Sequence, residues 1–326
     1  MVIKDGFSIR IKTMTDSINT SLGLLTTEAR NPLTLDIDNL SALEVVKLIN
    51  SEDEKVARAV GEVAESIAQA IDVIAERLSR GGRLIYVGAG TSGRLGVLDA
   101  VECPPTFNTD PDLVLGLIAG GPEGLLRAVE GAEDSSLAGQ QDLQEIGLIS
   151  SDIVVGIAAS GRTPYVIGAL DYARARGAYA IGFSCNREAE LVRHSDLSIV
   201  PLVGPEVLSG STRLKAGTAT KMVLNMLTTG AMVRMGKTYS NLMVDLRASN
   251  LKLTERATRI VETLTGLNGL RAADLLKSCN GEVKTAIVSY QLKLSPELAR
   301  DHLNAVHGHL RQALESRPSA NGNKTP

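Results

Sequence analysis

The sequence predicts an α/β protein, a doubly wound five-stranded parallel sheet followed by a small helical C-terminal domain. Two observations lead there. Five short apolar runs are interleaved with segments of helical periodicity, and past about residue 251 the strand signal stops while short helical patterns continue. With 326 residues, 44% of them hydrophobic and 22% charged, the chain can bury a full core. The expected divisions are an N-terminal arm and helix over 1–52, the α/β domain over 53–250, the helical domain over 251–315 and a polar, flexible tail over 316–326.

Each element has its own signal. Val56, Val60, Val63, Ile67, Ile71, Ile74 and Leu78 recur at three and four, which predicts one long amphipathic helix over 54–80, stopped by Gly81-Gly82. Residues 83–87 form an apolar run that enters a glycine loop, as a buried parallel strand does. The rhythm repeats with a strand over 113–119 and a helix over 122–130, then a strand over 153–159 and a helix over 163–176. Residues 180–184 and 197–202 supply the last two strands, and a long helix over 211–235 closes the domain. Helices over 272–279, 283–292 and 296–303 fill the C-terminal part.

Composition excludes several classes. A formal charge of -3 gives no basic footprint for nucleic acid, and no tryptophan with only three phenylalanines gives no platform for stacking bases. Cys103, Cys185 and Cys279 are scattered and odd in number, which fits a reduced compartment. Residues 1–30 mix charge throughout and hold no apolar stretch of the signal-peptide kind, and no run elsewhere is long and apolar enough to span a bilayer. The expectation is a cytoplasmic protein with neither nucleic-acid nor membrane partners. His302, His307 and His309 are spaced by five and two, a poor step for a helix-borne metal pair, so no metal site is expected.

Three loops concentrate the chemistry. Gly88-Ala-Gly90-Thr91-Ser92-Gly93 follows a strand and matches the dinucleotide fingerprint, but the second strand ends in Gly120-Gly121 where that fingerprint needs a ribose-binding acid. What remains is a helix N-terminus with backbone amides, the hydroxyls of Thr91 and Ser92, and Arg94 close by, the parts of an anion site. The plain alternative is a tight turn whose hydroxyls cap a helix. A second loop, Ser160-Gly161-Arg162-Thr163-Pro164, again follows a strand and opens a helix. Loops after parallel strands converge on one crevice, so the pair points to a phosphorylated ligand. The third segment, 204–221, places Ser211, Arg213 and Lys215 around the start of the long helix, as an anion site or as an elaborate cap. Two carboxylates complete the set. Glu102 precedes Cys103-Pro104-Pro105, where the double proline should stop the helix abruptly, and Glu133 lies in Glu130-Gly-Ala-Glu133-Asp134. By spacing alone each is either catalytic or a solvated helix end.

At these motifs the chain resembles the N-acetylmuramic acid 6-phosphate etherases, a branch of the sugar isomerase domain proteins that also include the glucokinase regulatory protein. The likeness takes in Thr27-Glu-Ala-Arg-Asn-Pro32, the Gly88 loop, Leu98-Asp-Ala-Val-Glu-Cys-Pro-Pro105 and Val129-Glu-Gly-Ala-Glu-Asp134. It continues through the Ser160 loop, 204–221, Asn241-Leu-Met-Val-Asp245 and Arg311-Gln-Ala-Leu314. The resemblance implies cleavage of the lactyl ether of N-acetylmuramic acid 6-phosphate to N-acetylglucosamine 6-phosphate and D-lactate. It further implies Glu102 as acid and Glu133 as base, and the ligand-site residues of the three loops, Gly90, Thr91, Ser92, Gly93, Arg94, Ser160, Gly161, Thr163, Ser211, Arg213 and Lys215, are then expected to hold the phosphate and sugar hydroxyls. The elimination chemistry calls for no metal and no redox cofactor. By analogy with the fold a homodimer is expected. A sugar-phosphate sensor, a transcriptional regulator and an aldose-ketose isomerase are the competing readings; the first would need a longer chain and the second a helix-turn-helix module.

Overall fold

The computed structural model describes residues 26–246 and 251–316, without the side chains of Leu251 and Lys252. The first 25 residues of the expected arm and the tail from 317 lie outside the described residues. The chain divides into two compact units. One takes the residues through Ala100 together with Val114–Leu227, the other Val101–Leu113 with the residues from Thr228.

The first unit is built on the expected sheet. Strands β1 (Leu84–Gly88), β2 (Val114–Ile118), β3 (Ile153–Ile157), β4 (Tyr179–Phe183) and β5 (Leu197–Ile199) pair in the order β2-β1-β3-β4-β5, all parallel. Every residue of β1 and β3 is buried, as in strands covered by helices on both faces, while the edge strand β2 is half-buried at its three central positions. Each fully buried Val, Ile or Leu in these strands contributes about 1.5–3 kcal/mol. β5 ends at Ile199, sooner than expected, because Pro201 has no N–H to extend the ladder.

Several helices differ from the sequence expectation for local reasons. The single helix over 54–80 is two: α1 (Ala42–Gly61) and α2 (Ala64–Ser79), separated at Glu62-Val63. α1 begins with a capping box in which Ser41 and Glu44 satisfy each other's backbone N–H groups. It ends where Gly61 weakens the helix and the Val63 N–H turns to the Val60 carbonyl, three residues back. The apolar stripe survives the break, with Val56, Val60, Ile67, Ile74 and Leu78 all buried.

After β1 comes α3 (Gly90–Phe107), which runs through Pro104 and Pro105 instead of stopping before them. Each of these prolines lies inside the helix and removes one N–H donor from it. Here the last turn closes with the Asn108 N–H on the Pro104 carbonyl at 2.9 Å, and Asn108 itself takes the left-handed conformation at φ 51°. The helix expected over 122–130 is only α4 (Gly121–Leu126); Arg127 is extended and Gly131 left-handed, so the intervening residues form an exposed strap.

α5 (Ser136–Glu145), which no strong periodicity announces, packs on α6 (Pro164–Ala175) with backbones almost touching. A Cβ on Gly139 would lie 2.0 Å from the Tyr165 carbonyl oxygen, and one on Gly168 2.1 Å from that of Ser136. Gly168→Ala should therefore lower stability by about 1–3 kcal/mol, because overpacking against rigid backbone outweighs the gain in helix propensity. A urea denaturation midpoint at or above that of the native protein would refute this.

In the second unit a short hairpin, β6 (Thr238–Tyr239) with β7 (Leu242–Met243), precedes helices α8 (Leu251–Thr265), α9 (Gly269–Ser278), α10 (Val283–Leu292), α11 (Pro296–Ala305) and α12 (Leu310–Glu315). Their core includes Val261, Leu276, Ile287 and Leu310. The helix α7 (Lys215–Arg234) crosses from the first unit's residues to the second's. Of the histidines here, His302 is buried with Nε2 at 2.8 Å from the Ala313 carbonyl, and the His309 ring lies against Gly236.

Candidate active site

The direction of chain progression reverses at β1. β2 lies on one side of it and β3 on the other, so the loops after β1 and β3 flank the switch-point crevice where such sheets hold ligands. Gly88 pairs with Ile157, and the glycine loop and the Ser160 loop therefore leave the sheet from neighbouring positions. This is the convergence expected from the sequence.

Glycine is required in the first loop for space as much as for conformation. A Cβ on Gly93 would fall 2.6 Å from both the Gly88 carbonyl oxygen and the Ile118 side chain, so α3 starts tight against the strand tips. Gly90 is left-handed at φ 52°, and Thr91 and Ser92 are half-buried in the first turn. In the second loop Gly161 is left-handed at φ 73° and packs on Ala189, leaving no room for a side chain. The Ser160 oxygen accepts the Arg162 N–H at 3.3 Å, whereas the Thr163 hydroxyl makes no capping bond to α6. The third segment also reaches this corner, since a Cβ on Gly217 of α7 would come within 3.7 Å of the Thr91 methyl.

Glu133 stands on a 3₁₀ turn (Ala132–Asp134) entered through Gly131 at φ 70°. With Gly90, Arg94, Arg127, Val129 and Gly131 it lines a cleft of about 270 Å³ beside the glycine loop. Glu133 is exposed, so it can meet a ligand from solvent. Glu102, also exposed, belongs to the last turns of α3 and is not among the residues lining that cleft. One turn earlier Asp99 is buried and accepts the Tyr86 hydroxyl at 2.9 Å and the Asn225 amide at 2.7 Å, which fixes the helix that presents Glu102.

The start of α7 differs from an open anion site. Its two foremost N–H groups, of Lys215 and Ala216, both donate to the buried Glu206 carboxylate at 2.9 Å. The protein thus supplies its own anion to that helix N-terminus. The Lys215 ammonium, 1% exposed, donates to Glu52 at 2.7 Å, and Glu52 is also bonded by Asn31 and Lys55. Burial alone would raise the Glu52 carboxyl; the bonds from Lys215, Lys55 and Asn31 overcome it and hold the pKa at about 2. Arg213 is exposed and Ser211 half-buried in the turn before the helix, which leaves them, rather than Lys215, accessible to a ligand.

Sequence reading missed this buried network, though one signal was present. Glu52 precedes Val56 and Val60 at intervals of four, so a carboxylate occupies the apolar stripe of α1 and demands a buried cation.

An open parallel sheet with two hydroxyl-bearing glycine loops at its switch point is the arrangement of a SIS domain. The sequence matches the profile of the glucokinase regulatory protein N-terminal SIS domain over residues 66–174 and that of the SIS domain over residues 135–230. It is 60% identical over 293 residues to the N-acetylmuramic acid 6-phosphate etherase of Rhodopirellula baltica, spanning 90% of this chain and 97% of that one. Identity to the etherase of Salmonella agona is 55% over 295 residues, 90% of this chain and 99% of the relative. The chain belongs to the N-acetylmuramic acid 6-phosphate etherase family. The solved structures it is similar to include phosphoheptose isomerases from Francisella tularensis (17% identity, TM-score 0.42, 60% of this chain and 100% of that one) and Neisseria gonorrhoeae (16%, 0.44, 58% and 98%).

Proposed function

We infer that the protein is a carbon-oxygen lyase that removes the D-lactyl ether of N-acetylmuramic acid 6-phosphate by elimination and hydration. Its products are N-acetylglucosamine 6-phosphate and D-lactate, which places it in amino sugar catabolism or cell-wall recycling. The observation that carries this reading is similarity over nearly the full length of the etherases, and Glu102 and Glu133 stand in the two motifs on which the sequence resemblance rests.

The chemistry gives each part a task. An alkoxide is a poor leaving group, so the ether must be activated before it breaks. In the ring-opened sugar the aldehyde acidifies the proton on carbon 2, and the lactyl oxygen on carbon 3 stands in the β position. Glu133 takes the carbon-2 proton, the electron pair forms the double bond to carbon 3, and Glu102 protonates the departing lactate oxygen. Water then adds at carbon 3, with Glu102 as the base that activates it and Glu133 returning the proton to carbon 2. The amides and hydroxyls of Gly90, Thr91, Ser92 and Gly93, with Ser160, Gly161, Thr163, Ser211 and Arg213, hold the phosphate and sugar hydroxyls.

The assembly we propose is a cytoplasmic homodimer. Leu98 and Val101, 50% and 59% exposed, flank Glu102 on α3 and give a second copy an apolar surface to cover. Among the described residues no helix is long and apolar enough to cross a membrane. Incubating the purified protein with N-acetylmuramic acid 6-phosphate should release D-lactate in step with N-acetylglucosamine 6-phosphate; folded protein that releases none would end this reading.

A further inference from the structure

We propose that Arg94 is a positioning residue that ties the Glu133 strap to the anion loop, rather than a direct ligand of the sugar phosphate. The proposal deepens the etherase reading and rests on it for its catalytic part. One edge of the Arg94 guanidinium faces the end of α4 and the start of the strap: Nε donates to the Leu125 carbonyl at 3.1 Å and Nη2 to the Arg127 carbonyl at 3.2 Å. Arg94 itself is on the first turns of α3, immediately after the glycine loop. A single side chain thus connects the element that offers amides to an anion with the segment that delivers the base.

That connection matters because the strap has little else to hold it. All residues from Leu125 to Gly131 are exposed, the Arg127 side chain meets exposed Glu123 at 3.4 Å, and the Arg127 N–H donates to the Glu123 carbonyl at 3.1 Å. Other anchors include Val129 lying against Gly120, Ala132 against the sheet's core, and the Ala132 N–H donating to the Val129 carbonyl at 3.3 Å. The strap reaches Glu133 through left-handed Gly131, a residue that allows many backbone conformations when it is not constrained. Fixing both carbonyls just upstream limits where the carboxylate can go. A guanidinium suits the task because two donors on one rigid plane can meet two carbonyls, which one ammonium on a flexible stem cannot do equally well.

Two measurements decide this. Arg94→Ala should lower kcat about 10²-fold by misplacing the base, with KM within about threefold of native because substrate contacts persist. Added guanidinium ion should restore part of the lost kcat, and Arg94→Lys should resemble Arg94→Ala. By hydrogen exchange, amides of 127–133 should exchange faster in both variants while β1 and β3 keep native protection. Arg94→Lys also serves if the alanine variant does not fold. A raised KM with native kcat and native strap exchange would overturn the proposal in favour of direct substrate contact. If the native enzyme released no lactate the etherase reading would fail, yet unchanged strap exchange in the variants would still refute the tether separately.

Discussion

Glu133→Gln should abolish both D-lactate release and solvent exchange of the carbon-2 proton of N-acetylglucosamine 6-phosphate, each by about 10²–10⁴-fold, the usual range for removing a general acid or base. The amide keeps the size of the side chain and its place in the cleft, so binding should be largely preserved. Glu102→Gln should give a different pattern. Lactate release falls by a similar factor, but carbon-2 exchange continues, because proton abstraction requires only the base and the phosphate grip. The two readouts separate roles that a single activity measurement would merge. Loss of exchange in Glu102→Gln with retention in Glu133→Gln would interchange the assignments. Retention of lactate release in either variant would remove that residue from the mechanism. Both carboxylates are exposed, so each is open to substrate from solvent.

The legible parts of this protein are those where local chemistry suffices. A parallel strand buried on both faces is an unbroken apolar run, and the glycines after β1 and β3 answer to close packing that any protein with those loops would need. Hence the sheet, the crevice and its two loops could be read from residues 83–93 and 153–164. The errors arose where a rule of propensity met a compensating contact. Pro104-Pro105 reads as a stop, but the Asn108 turn allows α3 to continue. The helix expected over 122–130 is cut at Leu126, because Val129 packs on Gly120 and Arg94 captures two carbonyls. Lys215 reads as an anion ligand by its place at a helix start, and only the fold reveals that a carboxylate 163 positions away reaches it. Spacing puts Glu52 in an apolar stripe and so calls for a buried cation, but it does not say which residue supplies it.

That pairing gives the largest stability effect expected here. Lys215→Met should cost about 3–5 kcal/mol at neutral pH, since it leaves the Glu52 carboxylate, 2% exposed, without its buried cation. Asn31 and Lys55 still bond Glu52, which favours the lower end of that range. Glu52→Gln combined with Lys215→Met should recover part of the loss, because a neutral buried pair avoids the uncompensated charge. The sign of the pH dependence is fixed by the shifts. Glu52 is held at about 2 in the folded protein against an ordinary value of 4.5, so its contribution is complete above about 4.5 and disappears as pH falls through 2. Glu206 works in the opposite direction: burial raises its carboxyl, partly offset by the α7 N–H groups and Lys215, so its contribution is present at low pH and lost as pH rises. Removing the ammonium raises both carboxyls, and the variant should therefore approach native stability on acidification below pH 4.5. Urea denaturation of the native protein, both single variants and the double variant at pH 7 and near pH 4 would test this. Additivity within about 0.5 kcal/mol would show that the two residues do not act as a buried pair.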